Sequence, residues 1–402
     1  MATTTETVAP PAPPGPFDWI RRHLFGDWFN ALLTILSLTI LYFALVTIIR
    51  WIFFTADWRP VLVSPLLFLV GQYPRGQLWR PGASMLIGAF LIGMSWGVWK
   101  RYIRAFAIFL GVLLGVLALV PLEASSITLS VRGAFLASTF LIYLGYRIGR
   151  LQIVKGGHVV ALWLIASVLI TLVLLPGVSG VPALPDVATT AWGGLMVTLL
   201  LAVGGIVLSF PIGVLLALGR RSSLPVVKMF SIVFIEAVRG VPLVTLLFMF
   251  SVMLTLFLPP EARIDRLLRA LTAMVLFSAA YTAENVRGGL QAIPEGQVEA
   301  AKALGLNNFQ ITSFIVLPQA LRLVIPAIVG QFISLFKDTT LVVIVGINDL
   351  LGIGNAILNL DPQFVRLQME VYLFIAAIFW VFSYFMSYAS LQLEKSLGVG
   401  ER

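Results

Sequence analysis

Ionisable side chains set inside apolar stretches are the residues here most able to do chemistry, because hydrocarbon tolerates a charge only when it is paired or wetted. Lys337 and Asp338, followed by Thr339, stand in ISLFKDTTLVVIV; Tyr281, Glu284 and Asn285 in AAYTAENVRGG; Glu236 and Arg239 in IEAVRGVP. Both charge signs beside neutral hydrogen-bonding groups could hold a polar solute partway across an apolar barrier. The same charges could instead pair with one another and fix helix packing, and the sequence leaves both readings open. Arg132, a lone charge in TLSVRGAFLAS, is expected to snorkel or to bond backbone carbonyls.

A second polar stretch, VEAAKALGLNNFQITSFIVLPQAL at 298–321, interrupts the apolar pattern and must face water or a soluble partner. Val298, Ala301 and Leu304 fall on one helical face, and Glu299 and Lys302 on another. Gly305 fits the C′ position of a Schellman stop, with Leu306 folding back on Ala301. Asn307 with Gln310 reads as a capping box opening a second short helix that Pro318 ends or kinks. Two short, capped helices outside the membrane are expected. They suit either a rigid docking lever or an ordinary connector resting on lipid.

The elements that must position these groups are membrane helices. Hydrophobic residues make up 59% of the chain, charged residues 11%, and mean hydropathy is +0.99, far from soluble averages. The expected fold class is an all-α polytopic membrane protein with about ten spans, near 31–54, 83–99, 105–122, 127–146, 159–176, 191–218, 227–257, 268–289, 320–345 and 371–391. With the N-terminus in the cytoplasm, Arg21, Arg22, Lys100, Arg101, Arg104, Arg147, Arg150, Lys155, Arg220, Arg221, Lys228, Lys302, Lys395 and Arg402 all fall inside. The outside keeps chiefly Arg59, Arg75, Arg80, Arg263, Arg266, Arg269 and Arg366. Both termini are therefore expected in the cytoplasm. Residues 1–28 read as a disordered, Pro-rich tail without signal-peptide character, and 29–180 as a membrane extension of about five helices. The Pro- and Gly-rich 176–190 marks a module boundary before a second block at 190–395.

The sequence contains no Cys and two His, His23 and His158, which removes disulfide, thiol and ordinary zinc or haem chemistry. The net charge of +9 sits at the ends of apolar runs, as topology signals and headgroup anchors rather than a nucleic-acid face. No G-x-x-x-x-G-K-[ST] occurs, so the phosphate cradle of a P-loop ATPase is not in this chain. A self-contained channel or secondary transporter for small polar solutes is one function that fits. No internal repeat of the kind secondary transporters often carry is visible.

Glu299-Ala300-Ala301, Gly305, Ile315 and Leu317-Pro318 fit the pattern EAA-x3-G-x9-I-x-LP. It resembles the signature of permease subunits of binding-protein-dependent ABC importers. EAVRGVPLVTLLF, AYTAENVRGGLQAIPEGQVEAA, LPQALRLVIPAI and FKDTTLVVIVGINDLL extend the likeness over roughly 190–395, toward the polar amino acid (histidine/glutamine-type) branch. Val241 and Thr340 depart from that branch's RGTPL and KDTSL. The long N-terminal block is similar to the M-type subunit of general L-amino acid permeases.

The resemblance implies a five-helix type I ABC importer permease core at 190–395, with a coupling loop at 295–318. There Glu299, Ala300, Ala301, Gly305, Ile315 and Pro318 would serve contact with an ATPase. It implies a second permease subunit in a heterodimer, two ABC ATPase subunits that use ATP and Mg, a periplasmic amino-acid-binding protein, and a bacterial inner membrane location. No cofactor of this chain's own is implied. A zwitterionic amino acid would need both signs of charge, which Asp338, Glu284, Asn285 and Thr339 could supply if they converge.

Overall fold

The computed structural model describes residues 15–119, 128–151, 153–174, 187–257, 259 and 264–398. The Pro-rich stretch before residue 15, most of the expected boundary at 176–190, Arg263 and Arg402 lie outside the described residues. The chain divides into two compact units, Met1–Asp57 and Trp58–Arg402.

In the first unit, α1 (Pro16–Leu24) opens with Pro in its first turn, where the missing N–H costs nothing. Phe17, Ile20 and Leu24 recur at helical spacing, so part of the expected disordered tail is instead an amphipathic helix. Asp27 caps α2 (Trp28–Arg50) by accepting from the Asn30 N–H at 2.9 Å. The Thr34 hydroxyl donates to the Leu24 carbonyl at 2.8 Å, turning α1 aside from the axis of α2. No residue of α2 is buried, as fits an apolar helix surrounded by lipid.

The second unit begins with α3 (Arg59–Val63), α4 (Pro65–Val70), α5 (Trp79–Trp99), α6 (Arg101–Leu119), α7 (Leu129–Gly149) and α8 (Gly156–Leu174). Gly93 and Gly97 on α5 face Gly145 and Gly149 on α7, two small-xxx-small pairs that let the backbones touch. A Cβ at Gly97 would lie 2.6 Å from the Tyr146 carbonyl oxygen, and one at Gly145 would overlap that of Phe90. Trp96 stacks on Tyr146 at 4.1 Å beside this seam.

Next come α9 (Gly194–Arg220), α10 (Pro225–Arg239), α11 (Leu243–Phe248), α12 (Leu254–Phe257), α13 (Arg266–Gln291), α14 (Glu295–Ala303), α15 (Asn308–Gln310), α16 (Leu317–Asp338), α17 (Leu350–Leu358) and α18 (Gln368–Leu397). Contacts fix their directions. Ser209 bonds Ser278 and Gly213 abuts Thr282, so α9 and α13 run parallel; Gly289 abuts Ala320 and Gly205 abuts Leu335, so α16 returns antiparallel to both.

Eight helices among the described residues are long and apolar enough to cross a membrane, and α10 with α11–α12 makes a ninth if counted as one span. That pair was expected to be one helix at 227–257, but it bends by 104°. Pro242 supplies no N–H and drives Val241 out of helical geometry. A shorter apolar helix at 156–170 occupies the expected fifth span.

The blocks on either side of the expected boundary at 176–190 pack against each other. Phe68 meets Phe374 at 5.0 Å and Phe106 meets Phe385 at 5.3 Å, so rings of the N-terminal block pack on α18. Gly71 bridges Trp192, Gly193 bridges Asn348 and Gly194 bridges Asp349, tying the chain before α5 to the start of α9 and to α17. Gly194 has φ +65°, and a Cβ there would strike the Phe68 carbonyl. Asp349, fully buried and outside the spans, caps α17 by accepting from the Gly352 N–H at 2.9 Å; burial pushes its carboxyl up to about 6.

Candidate functional site

The polar loop is built from the foot of α13. After Gln291, only Ala292, Ile293 and Pro294 precede α14, so the connection is short and stiffened by proline. Ala301 turns inward, 3% exposed, against a core that also holds Leu290, Ile311 and Ala320. Gly305 ends the helix at φ +76°, its N–H reaching the Lys302 carbonyl at 2.9 Å while the Leu306 N–H reaches Ala301 at 3.2 Å. That bond pair is the expected Schellman stop. Asn307 and Gln310 exchange the expected capping-box bonds, each 2.9 Å.

Two expectations change here. Pro318 does not end a short second helix: the chain winds through a wider π-helical stretch, Ile311–Val316, and continues as α16. Pro318 sits in the first turn of that segment, where the i→i−4 ladder is only beginning and its missing donor is tolerated. Leu304 leaves the face it was expected to share with Val298 and Ala301, because as C-cap its backbone is no longer helical.

The loop therefore shows two sides. Glu299, Ala300, Lys302, Gly305 and Pro318 are exposed, whereas Ala301 and half-buried Ile315 belong to the interior. Beside the exposed polar residues stand Leu304, 81% exposed, and Phe309, 76% exposed. The sequence placed Leu304 on one face with Val298 and Ala301 and did not single out Phe309.

The intramembrane candidates fall into two groups. Glu236 and Arg239 on α10 and Tyr281 and Glu284 on α13 come together with two residues not singled out from sequence, Arg220 and Arg287. Arg220 donates to Glu236 at 2.8 Å and lies 3.6 Å from Glu284. Arg239 lies 3.7 Å from Glu284 and over the Tyr281 ring at 5.4 Å. Arg287 clamps both Glu284 oxygens. Its i+3 spacing from Glu284 was legible; the role of Arg220 was masked by its use as a topology signal. Asn285 is half-buried beside this cluster.

Lys337, Asp338 and Thr339 lie elsewhere. Leu335 abuts Gly205, and the neighbouring Gly204 abuts Leu271, so the end of α16 stands level with the start of α13. Glu284 is 13 residues further along α13, about 20 Å at 1.5 Å per residue. Asp338, Thr339, Glu284 and Asn285 therefore do not converge within this chain. Thr339 is buried and donates to the Phe336 carbonyl at 2.7 Å; Lys337 is exposed, and no described residue pairs with Asp338.

Residues 209–398 match the family described as binding-protein-dependent transport system inner membrane component. The chain is similar to the inner membrane amino-acid ABC transporter permease protein YhdY of Escherichia coli K12, 38% identical over 95% of this chain and 93% of that protein. It is 37% identical to the glutamate/glutamine/aspartate/asparagine transport system permease protein BztC of Rhodobacter capsulatus, over 98% of this chain and 97% of that one. Among solved structures, the crystal structure of an amino acid ABC transporter with histidines shares 30% identity at a TM-score of 0.46, covering 50% of this chain and 92% of that one.

Proposed function

The chain belongs to the family of binding-protein-dependent transport system inner membrane components, and on that premise we propose that it is a permease subunit of an ATP-driven importer moving L-amino acids across the inner membrane. The substrate class rests on the names of the two full-length relatives. The chain is a multi-pass inner membrane transport component, and ATP is hydrolysed by a separate subunit. The observation that carries the reading is the loop at 295–310, a helix rigidly stopped at Gly305 with Glu299, Ala300, Leu304 and, just beyond it, Phe309 outward. We assign ATPase contact to those residues and to Gly305 and Pro318, and an inward supporting role to Ala301 and Ile315.

The permease domain is taken as 190–395, preceded by the extension. A second permease chain is proposed as partner, making a heterodimer with two ATPase subunits and a periplasmic amino-acid-binding protein. Support comes from the exposed side of α16, where Ala327, Gly330, Ser334 and Lys337 recur at helical spacing. Small and polar groups suit a facing helix or a wet path better than lipid. The charge bias supports cytoplasmic termini and a cytoplasmic Lys302. Labelling Lys302→Cys with a membrane-impermeant thiol reagent in intact spheroplasts would reverse that orientation.

Reconstitution tests the function. With its ATPase, paired permease and binding protein, the complex should accumulate amino acids only when ATP is supplied. Uptake by the purified chain alone without ATP would favour a self-contained channel or secondary transporter.

A further inference from the structure

The foot of α13 is held by charge as well as by packing. Glu284 receives Arg287 from its own helix, Arg220 from the end of α9 and Arg239 from α10, and Arg220 also bonds Glu236. Arg287 donates onward to Gln291 at 2.6 Å, and Arg221 donates to the Leu290 carbonyl at 3.0 Å. Gln291 is the last residue of α13, with only three residues between it and α14. Three cations thus share two carboxylates where three helices meet the loop that faces the ATPase.

We infer that Glu284 is a positioning residue, the hub of a charge lock that fixes the direction in which α13 delivers α14 and so couples ATPase movement to α9 and α10. The inference rests on the proposed transport function. Without the Glu284 carboxylate, Arg239 loses its ion pair, Arg287 its clamp, and Glu236 alone remains to offset the three cations. The mutual repulsion of three guanidinium groups then spreads the feet of α9, α10 and α13. The apolar side of the same junction, where Ala301 shares a core with Leu290, Ala217 and Ile235, stays packed. Assembly should survive while transmission becomes slack.

The test uses the reconstituted four-component complex in nanodiscs. Wild type must first show substrate-stimulated ATP hydrolysis; if it shows none, the transport reading fails, not the lock. Glu284→Gln should then assemble normally but lose stimulation by about tenfold, within the range of a typical coupling free energy, through kcat rather than the KM for ATP. Glu284→Asp should restore most of it.

Because the chain is Cys-free, spin labels at Gly296→Cys and Ser223→Cys can report the distance between α14 and the foot of α9. The distribution should be narrow in wild type and broad in Glu284→Gln. Unchanged stimulation with an unchanged distribution would overturn the lock. So would lost uptake with intact stimulation, which would make Glu284 a substrate contact. If Glu284→Gln does not accumulate, Arg220→Gln, which leaves the Arg287 clamp in place, is measured in the same way: lost stimulation with a broadened distribution supports the lock, and no change in either overturns it.

Discussion

Gly305 offers a test in which the cost of substitution comes from the backbone alone. Its φ is +76°, and nothing lies within 4 Å of a Cβ built there, so no side chain would clash. The penalty is that of left-handed geometry, about 1–2 kcal/mol for an L-residue and greatest for a β-branched one. A cost of that size changes the population of the docking-competent loop by a factor of about 5–30. Two bonds report the loss, from the Gly305 N–H to Lys302 and from the Leu306 N–H to Ala301. The assay is titration of the ATPase subunit onto solubilised complexes carrying Gly305→Asn, Gly305→Ala and Gly305→Val. Binding should weaken in that order, with Asn near wild type because it tolerates φ above zero and Val weaker by the factor above. Wild-type affinity in Gly305→Val, or equal loss in Gly305→Asn, would show that the stop does not aim the loop.

Gly145→Leu should force α5 from α7 and lower the melting temperature of the subunit, at a cost of about 1–3 kcal/mol. Gly133→Leu on the same helix, where a Cβ meets nothing, should not. Asp349 has its folded pKa raised from 3.8 to about 6, so the folded state holds the proton more tightly; stability is greatest below about pH 4 and falls as pH rises to about 6. Above that the deficit is about 3 kcal/mol, and Asp349→Asn, which keeps the capping oxygen, should raise the melting temperature at pH 7.5 and flatten the slope between pH 4 and 6. Asp338 pairs with no described residue, so Asp338→Asn should leave assembly unchanged. A fall in uptake at full assembly would place it on the substrate path, and unchanged uptake would remove it from that path.

Where the sequence could be read, the signal was local. The Gly305 stop and the Asn307 capping box depend on a few consecutive residues, whose backbone donors must be satisfied whatever surrounds them. Span positions follow from apolar length, which the bilayer dictates. Local pattern could not supply partnership across distance. Gly93, Gly97, Gly145 and Gly149 lie on different helices, and only the fold shows that their backbones meet. The N-terminal block read as a separate module because its composition differs from that of the second block. Composition carries no trace of Phe106 and Phe109 reaching Phe385.

The intramembrane charges show the same limit in chemical form. Any carboxylate in an apolar span looks like a binding group, because the sequence does not reveal whether its counter-charge comes from the same chain. Glu284 has such partners in Arg287, Arg239 and Arg220 from three helices, which spends its charge on holding those helices together. Asp338, about 20 Å away along the bundle, has none among the described residues and stands beside an exposed lysine on α16. An unpaired carboxylate in a span is costly unless water or another molecule meets it. Within one chain, then, Glu284 is explained by helix packing, whereas no described residue meets the charge of Asp338, which water or a group from outside the chain would have to satisfy.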